Sequence, residues 1–304
     1  MIKPIAKITN VLSAIDKREK GAFSAEWQIL EKNIWVDESI MDLIPITSIH
    51  SALIDGEDTE IDFCLKNDYT LSDVITNNRR KLEDAFRVAE ACGIYQKRMI
   101  TVVVHLRNEI LPISCEEIAQ FLEMMFEKYV HCQIAIENVM IMNSKHEFRT
   151  AFRHSSVPEV VKSIREEIRD EFKDRVWTVL DVCHALSSIR IEGLICEYEN
   201  LFFKKDEKEM LKKYFIENKD ICKIIHFNNA RKLGINQRNH GVPFETIEDI
   251  ELMKYLLELY YKYIPEADFV IEIMETDYTN AVNFQNTVKQ LQSIEKERKD
   301  EASE

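Results

Sequence analysis

Histidines and acidic residues recur in this chain at one kind of place, the last position of a short apolar run. His50 closes ITSIH (46–50), His105 closes MITVVVH (99–105) and Glu137 closes QIAIE (133–137). Asp181 closes WTVLD (177–181), His226 closes CKIIH (222–226) and Glu272 closes DFVIE (268–272). His184 follows Asp181 in DVCH, in what reads as the adjoining loop, and His240 lies in RNHG beyond the fifth run. Five of the eight histidines therefore fall at or just past such ends. Imidazole and carboxylate together are the ligand set of Zn²⁺ or Mn²⁺. One histidine or acid at the end of a run is ordinarily a loop residue. A carboxylate directly after apolar residues is costly to bury unless it is paired or metal-bound. Six such positions at successive ends point to a divalent-metal site.

The elements that must position these groups are legible in the same runs. Each is strand-length and apolar almost throughout, as expected of a parallel strand covered on both faces. Between them lie segments of helical periodicity, among them LSDVITNNRRKLEDAFRVAEACG, SCEEIAQFLEMMFEKYV, VPEVVKSIREEIRDEF and TIEDIELMKYLLELYYKYI. Ser114 before Glu117 and Thr246 before Asp249 are capping-box patterns. Strand–helix alternation of this kind means parallel βαβ units. The fold class expected is α/β, a (β/α)8 barrel, in which functional groups meet at the C-terminal mouth of the strands. Its first two strands must lie in residues 5–45, near KITNVLS and EWQILE. An open doubly wound sheet is the competing architecture. His131 precedes a run and so belongs to the opposite, stability face. His146 and His154, in the connection after Glu137, read as solvent-facing.

Composition narrows the function classes. With Lys+Arg 40 against Asp+Glu 54, the net charge is -14, against the basic footprint of a nucleic-acid binder. Six glycines, in no GxGxxG or GxxxxGK pattern, exclude a glycine-rich phosphate loop. Seven scattered cysteines with no CxxC pair read as reduced thiols in a cytoplasmic protein. No segment has the length and apolarity of a membrane span. Residues 1–295 read as one barrel domain, and 296–304 as a charged tail that frays from the body.

The motifs IENVM, VLDVCHALSS, IHFNNARKLG and FVIEI resemble the xylose-isomerase-like TIM barrels, a superfamily that includes endonuclease IV-type apurinic endonucleases and sugar isomerases and epimerases. LDVCHA is the most specific, one residue from the family's Asp-Thr-Cys-His-Ala run. HFNNARKLG is similar to the endonucleases' His-Leu-Asn-Asp-Ser-Lys segment, with Asn229 where Asp is usual. The resemblance implies that Glu137, Asp181, His226 and Glu272 are the ligands of a central metal. It implies a second metal on His50 and His105, bridged by Glu137, and a third on His184 and His240. The Asp expected two residues before His240 is replaced by Arg238, whose guanidinium cannot ligate a metal. SIHSALIDG and HLRN replace the family's His-Ala-Pro-Tyr and His-Pro-Gly loops, so DNA specificity does not carry over with the metal ligands. Glu275, in IMET, is a rival to Glu272, and strand parity places the two on opposite faces.

Two reactions follow. In the first, a zinc phosphoester hydrolase with two or three ions, Glu137 is shared between metals and Arg238 clamps a phosphate. In the second, a sugar or sugar-phosphate isomerase or epimerase, one Mn²⁺, Mg²⁺, Co²⁺ or Fe²⁺ sits at the quartet. There Glu137 and Glu272, with Asp181 beside them, flank the substrate carbon as base and acid. His184 then binds a substrate hydroxyl, and Arg231 or Arg238 a phosphate. The extra histidines His50 and His105 favour the hydrolase. A non-catalytic, ligand-binding relative is the third class.

Overall fold

In the computed structural model the described residues are 2–30, 34–51, 54–55, 59–60, 71–105, 115–138, 156–198, 206–230 and 240–301. Eight parallel strands close on themselves: β1 (Ile5–Ile8), β2 (Ser24–Gln28), β3 (Ile46–His50), β4 (Ile100–His105), β5 (Cys132–Glu137), β6 (Val176–Asp181), β7 (Cys222–Phe227) and β8 (Asp268–Ile271). Closure runs through β1 and β8, where Ile5 pairs with Val270 and Ala6 with Ile271. Each strand hydrogen-bonds its sequence neighbours, so the chain is a (β/α)8 TIM barrel and the open doubly wound alternative falls.

Helices follow the strands and coat the barrel: α1 (Val11–Glu19), α2 (Glu38–Leu43), α3 (Leu71–Gln96), α4 (Cys115–Lys128), α5 (Ser156–Glu167), α6 (Val182–Tyr198), α7 (Glu207–Asn218), α8 (Ile247–Tyr263) and α9 (Val282–Glu301). The last of these includes residues 296–301 of the charged C-terminal segment. A two-stranded ribbon, Ile54–Asp55 with Thr59–Glu60, stands outside the barrel. No helix of the described residues is long and apolar enough to cross a membrane.

Every strand is buried on both faces, for two different reasons. Outward residues such as Ile8, Trp27, Ile49, Val102, Ile134, Leu180, Phe227 and Phe269 form one large cluster with the helices. Inward, Ile5, Val103, Ala135, Val179, Ile224 and Val270 form a second, separate cluster across the barrel axis. Each such aliphatic side chain contributes about 1.5–3 kcal/mol on burial. Two residues further along each strand the inward position recurs, and the axial layer of aliphatic residues becomes the floor of the mouth.

The six expected strands match within a residue or so at each end. The first two start two residues before KITNVLS (7–13) and EWQILE (26–31) and end five and three residues before those segments do. Asn10, still extended, caps α1 by accepting from Ser13 N at 2.9 Å. Thr246 and Asp249 form the expected capping box of α8. Ser114 lies outside the described residues.

Candidate metal centre at the barrel mouth

Each of the eight strands presents one polar side chain to the mouth. In chain order these are Lys7, Glu26, His50, His105, Glu137, Asp181, His226 and, just past β8, Glu272. They stand two positions beyond the axial cluster on most strands, so the same alternation that fills the barrel with aliphatic residues delivers charge to its rim. Glu26, Asp181 and His226 have no solvent exposure at all.

Glu137 lies at the centre. Its Oε2 is 3.2 Å from His50 Nε2, 3.1 Å from His105 Nε2 and 3.4 Å from His226 Nδ1. Its Oε1 is 3.3 Å from His184 Nδ1. His226 Nδ1 also lies 2.9 Å from Glu272 Oε2 and 3.7 Å from Asp181 Oδ2. His240 Nε2 is 3.7 Å from the same Asp181 oxygen, with its ring centroid 4.8 Å from that of His184. The structure thus brings His50, His105, Glu137, Asp181, His184, His226, His240 and Glu272 to one place. Arg231 and Arg238, with His146 and His154, lie outside the described residues.

His184 differs from its expected setting. It sits in the first turn of α6 rather than in a loop, because Asp181 directly starts the helix. The Asp181 Oδ1 accepts the backbone N–H of His184 at 2.6 Å, an N-terminal cap that also suits the helix dipole. Asn228 Nδ2 donates to Asp181 Oδ2 at 2.9 Å, and Asn138 exchanges two bonds with the Asp181 backbone. Asn138 and Asn228 are functional supports that sequence reading passed over. Their signal was position, since each directly follows a strand or its last residue. Asn229, one further along, donates to Asp249 at 2.7 Å and so ties the loop to the α8 cap.

Glu272 and Glu275 separate cleanly. Glu272 Oε2 faces His226, whereas Glu275 accepts the backbone N–H groups of Asn283 (3.0 Å) and Phe284 (2.7 Å) at the start of α9. Gly241 holds His240 close to this strand end. Its φ of +68° is a left-handed conformation, and a Cβ there would stand 3.1 Å from the Glu272 carbonyl oxygen.

Hydrogen bonding to the rings bears on whether a cation fits. His50 Nδ1 is 3.1 Å from the Ser51 carbonyl and His184 Nδ1 is 2.7 Å from the Asn138 carbonyl. A carbonyl only accepts, so each Nδ1 donates, while His50 Nε2 in turn lies 3.2 Å from Glu137 Oε2. His226 Nε2 bonds Glu26 instead, at 3.4 Å, leaving Nδ1 turned to the carboxylates. Among the described residues, His226 Nδ1 and both ring nitrogens of His105 are buried without an aligned hydrogen-bond partner. An imidazole anchored through one nitrogen and orphaned at the other is the usual setting of a metal-ligating histidine. His50, His105 and Glu137 can converge on one cation, and so can Glu137, Asp181 and His226. The residues fit a divalent metal.

The electrostatics are those of a crowded, water-poor site. Burial disfavours the carboxylates of Glu137 and Glu272, yet neighbouring basic groups hold both well below the usual range, His105 and His226 for Glu137, Lys7 and His226 for Glu272. Asp181 is lowered likewise by His184 against its own burial. For His105 burial dominates and pushes it down to about 4, only partly offset by Glu137. His184 loses to burial but gains more from Asp181 and Glu137, and is pushed up to about 9.

Lys7 and Glu26 are the mouth residues that sequence reading missed. Their signal was a charge inside a short run of small and apolar residues, IAKI and SAEW. Lys7 Nζ donates to Glu272 Oε1 at 2.6 Å. Burial opposes its charge, but Glu272 and Glu26 raise its pKa above the ordinary lysine value.

Comparison with known proteins gives the fold and little else. No family model matches the chain, and no curated protein does. A solved structure described as "The crystal structure of AsfvAP:AG" aligns over 96% of this chain and 99% of that chain, with a TM-score of 0.51 and 13% identity. Such a likeness extends to the fold. The YdjI aldolase from Escherichia coli K12 aligns over 69% of this chain and 85% of that one at 12% identity, with a TM-score of 0.22, too low to argue from.

Proposed function

We propose that this chain is a divalent-metal-dependent phosphoester hydrolase of the xylose-isomerase-like superfamily, closest in its site to the endonuclease IV type. The observation that carries the reading is Glu137 Oε2, which lies within 3.4 Å of a ring nitrogen of each of His50, His105 and His226. A carboxylate so flanked is built to bridge two cations. A one-metal isomerase needs the quartet of Glu137, Asp181, His226 and Glu272 but has no use for His50 and His105.

In this reading His50, His105 and Glu137 hold one ion, and Glu137, Asp181, His226 and Glu272 another. Bound ions, zinc foremost, would polarise phosphoryl oxygens and lower the pKa of a coordinated water toward neutrality. The remaining work falls to the chain. The carbonyls of Ser51 and Asn138 orient two imidazoles, and Asn228 fixes one Asp181 oxygen. The aliphatic layer of Val103, Val179 and Ile224 beneath excludes water from below. His184 and His240 form the outer edge, where they hold a third ion or contact substrate. Arg231 and Arg238 are proposed to meet a substrate phosphate as planar donors.

The test is metal content by elemental mass spectrometry on protein purified without chelator, followed by phosphoester substrates, abasic DNA first. Two or more zinc ions per chain with phosphoester cleavage is the expected result. One manganese, magnesium, cobalt or iron ion per chain, with turnover of ketoses or their phosphates, would replace this reading with the isomerase, in which Glu137 and Glu272 pass the proton.

A further inference from the structure

Lys7 and Glu26 stand behind the ligand set, on the two strands that contribute none of it. Glu26 Oε2 accepts from Ser48 Oγ at 2.8 Å and from His226 Nε2 at 3.4 Å, and its Oε1 is 3.2 Å from the same ring nitrogen. Lys7 Nζ reaches Glu272 Oε1 at 2.6 Å and lies 3.8 Å from Glu26 Oε1. Lys17 Nζ in turn donates to the Lys7 carbonyl at 2.5 Å.

The backbone is arranged for this. Between β2 and β3 the register shifts after Ala25, so Glu26 pairs with Ser48 and Thr47 is passed over. That irregularity brings Glu26 and Ser48 inward at one level, where the hydroxyl can donate to the carboxylate. A carboxylate with no solvent exposure requires such donors.

The consequence lies in the ligand atoms. A ring that donates through Nε2 keeps Nδ1 for the lone pair, and Nδ1 of His226 is the nitrogen turned to Glu137, Asp181 and Glu272. The reverse tautomer would point an N–H at those carboxylates and shut a cation out. Lys7 does the matching task for Glu272 by occupying Oε1, which turns Oε2 toward His226.

We propose that Glu26 and Lys7 are positioning residues for the central metal, Glu26 by setting the His226 tautomer and Lys7 by selecting the Glu272 oxygen that ligates. This rests on the metal reading above. The experiment is zinc titration against a competing chelator for the wild-type chain, Glu26→Ala, Glu26→Gln and Lys7→Met, with ions per chain counted at saturation. Ring ¹⁵N shifts of His226 in the zinc-loaded protein report the tautomer.

Expected is unchanged stoichiometry, with affinity for the central ion about 10–100-fold weaker in Glu26→Ala, the usual effect of losing a carboxylate behind a ligating histidine. Glu26→Gln keeps an acceptor for Nε2–H and should recover much of the loss. It also carries the test should Glu26→Ala fail to fold. Lys7→Met should weaken the same ion and leave the His226 tautomer alone. Wild-type affinity in both Glu26 variants would overturn the proposal alone. Loss of one ion at saturation would overturn it too, by making Glu26 a ligand. A wild-type chain that binds no divalent ion would overturn this proposal and the metal reading together.

Discussion

The two ends of the barrel are made from the same strands and treat their polar groups in opposite ways. At the N-terminal end Gln133 donates to Thr101 at 2.8 Å, and Glu90 accepts both the backbone N–H and the Nδ1 of His131, each at 2.8 Å. Arg175 there closes on the Cys132 and Tyr129 carbonyls at 2.7 and 2.6 Å. At the C-terminal end polar groups are more deeply buried, yet ring nitrogens of His105 and His226 have no aligned partner. Buried polar groups in folded proteins are nearly always satisfied, and an exception calls for an explanation. The bonds at the N-terminal end tie strands and helices together. Ring nitrogens left without aligned partners at the mouth, beside carboxylates, could hold a metal ion.

The largest effect that would break this contrast is at Asp181. Asp181→Ala removes a proposed ligand, the cap of α6 and the counter-charge of His184 and His226. We expect the central ion to be lost and activity to fall by more than the ~10–100-fold typical of a residue that merely supports a ligand. Full metal occupancy in that variant would take Asp181 out of the centre. Next comes His50→Ala, expected to cost one ion per chain while the quartet keeps the other. An unchanged metal count would return the site to a single cation and favour the isomerase.

A smaller effect separates the histidines by pH. Metal and proton compete for the same nitrogen. His184 is pushed up to about 9 and must lose a proton to bind, so affinity of the outer position should rise with pH until about 9. His105, pushed down to about 4, is already neutral at pH 7, so binding through its ring should gain little above that pH. Isothermal titration across pH 6–9 in buffers of different ionisation enthalpy reads the protons released. Equal proton release at both positions would contradict the assignment.

The smallest effect is expected at the floor. His131→Ala breaks a partly exposed pair with Glu90, for which a loss of about 1 kcal/mol or less is ordinary. Turnover and metal content should be those of wild type. A large loss of turnover would mean that the two ends differ less than their hydrogen bonding indicates.

Six of the eight strands were legible because they are apolar and β-branched almost throughout, and each run ends at or next to a histidine or a carboxylate. β1 and β2 were not, because Lys7 and Glu26 interrupt runs of only four and five residues. A charge in mid-run reads as a surface position until a partner across the barrel is known. The same limit applies to His184. Spacing put it after a strand, but only the capping bond from Asp181 shows that the helix begins at once.

What the sequence by itself determined is the alternation of strands and helices, and the kind of atom each strand end carries. Both are local properties, set by side-chain chemistry and by periods of two and 3.6 residues. What the tertiary structure alone decided is which of those atoms meet. Closure of β1 onto β8 carries Lys7 to Glu272, residues at opposite ends of the chain, and a one-residue register shift carries Glu26 behind His226. No local signal encodes these contacts, because their geometry exists only once all eight strands have closed.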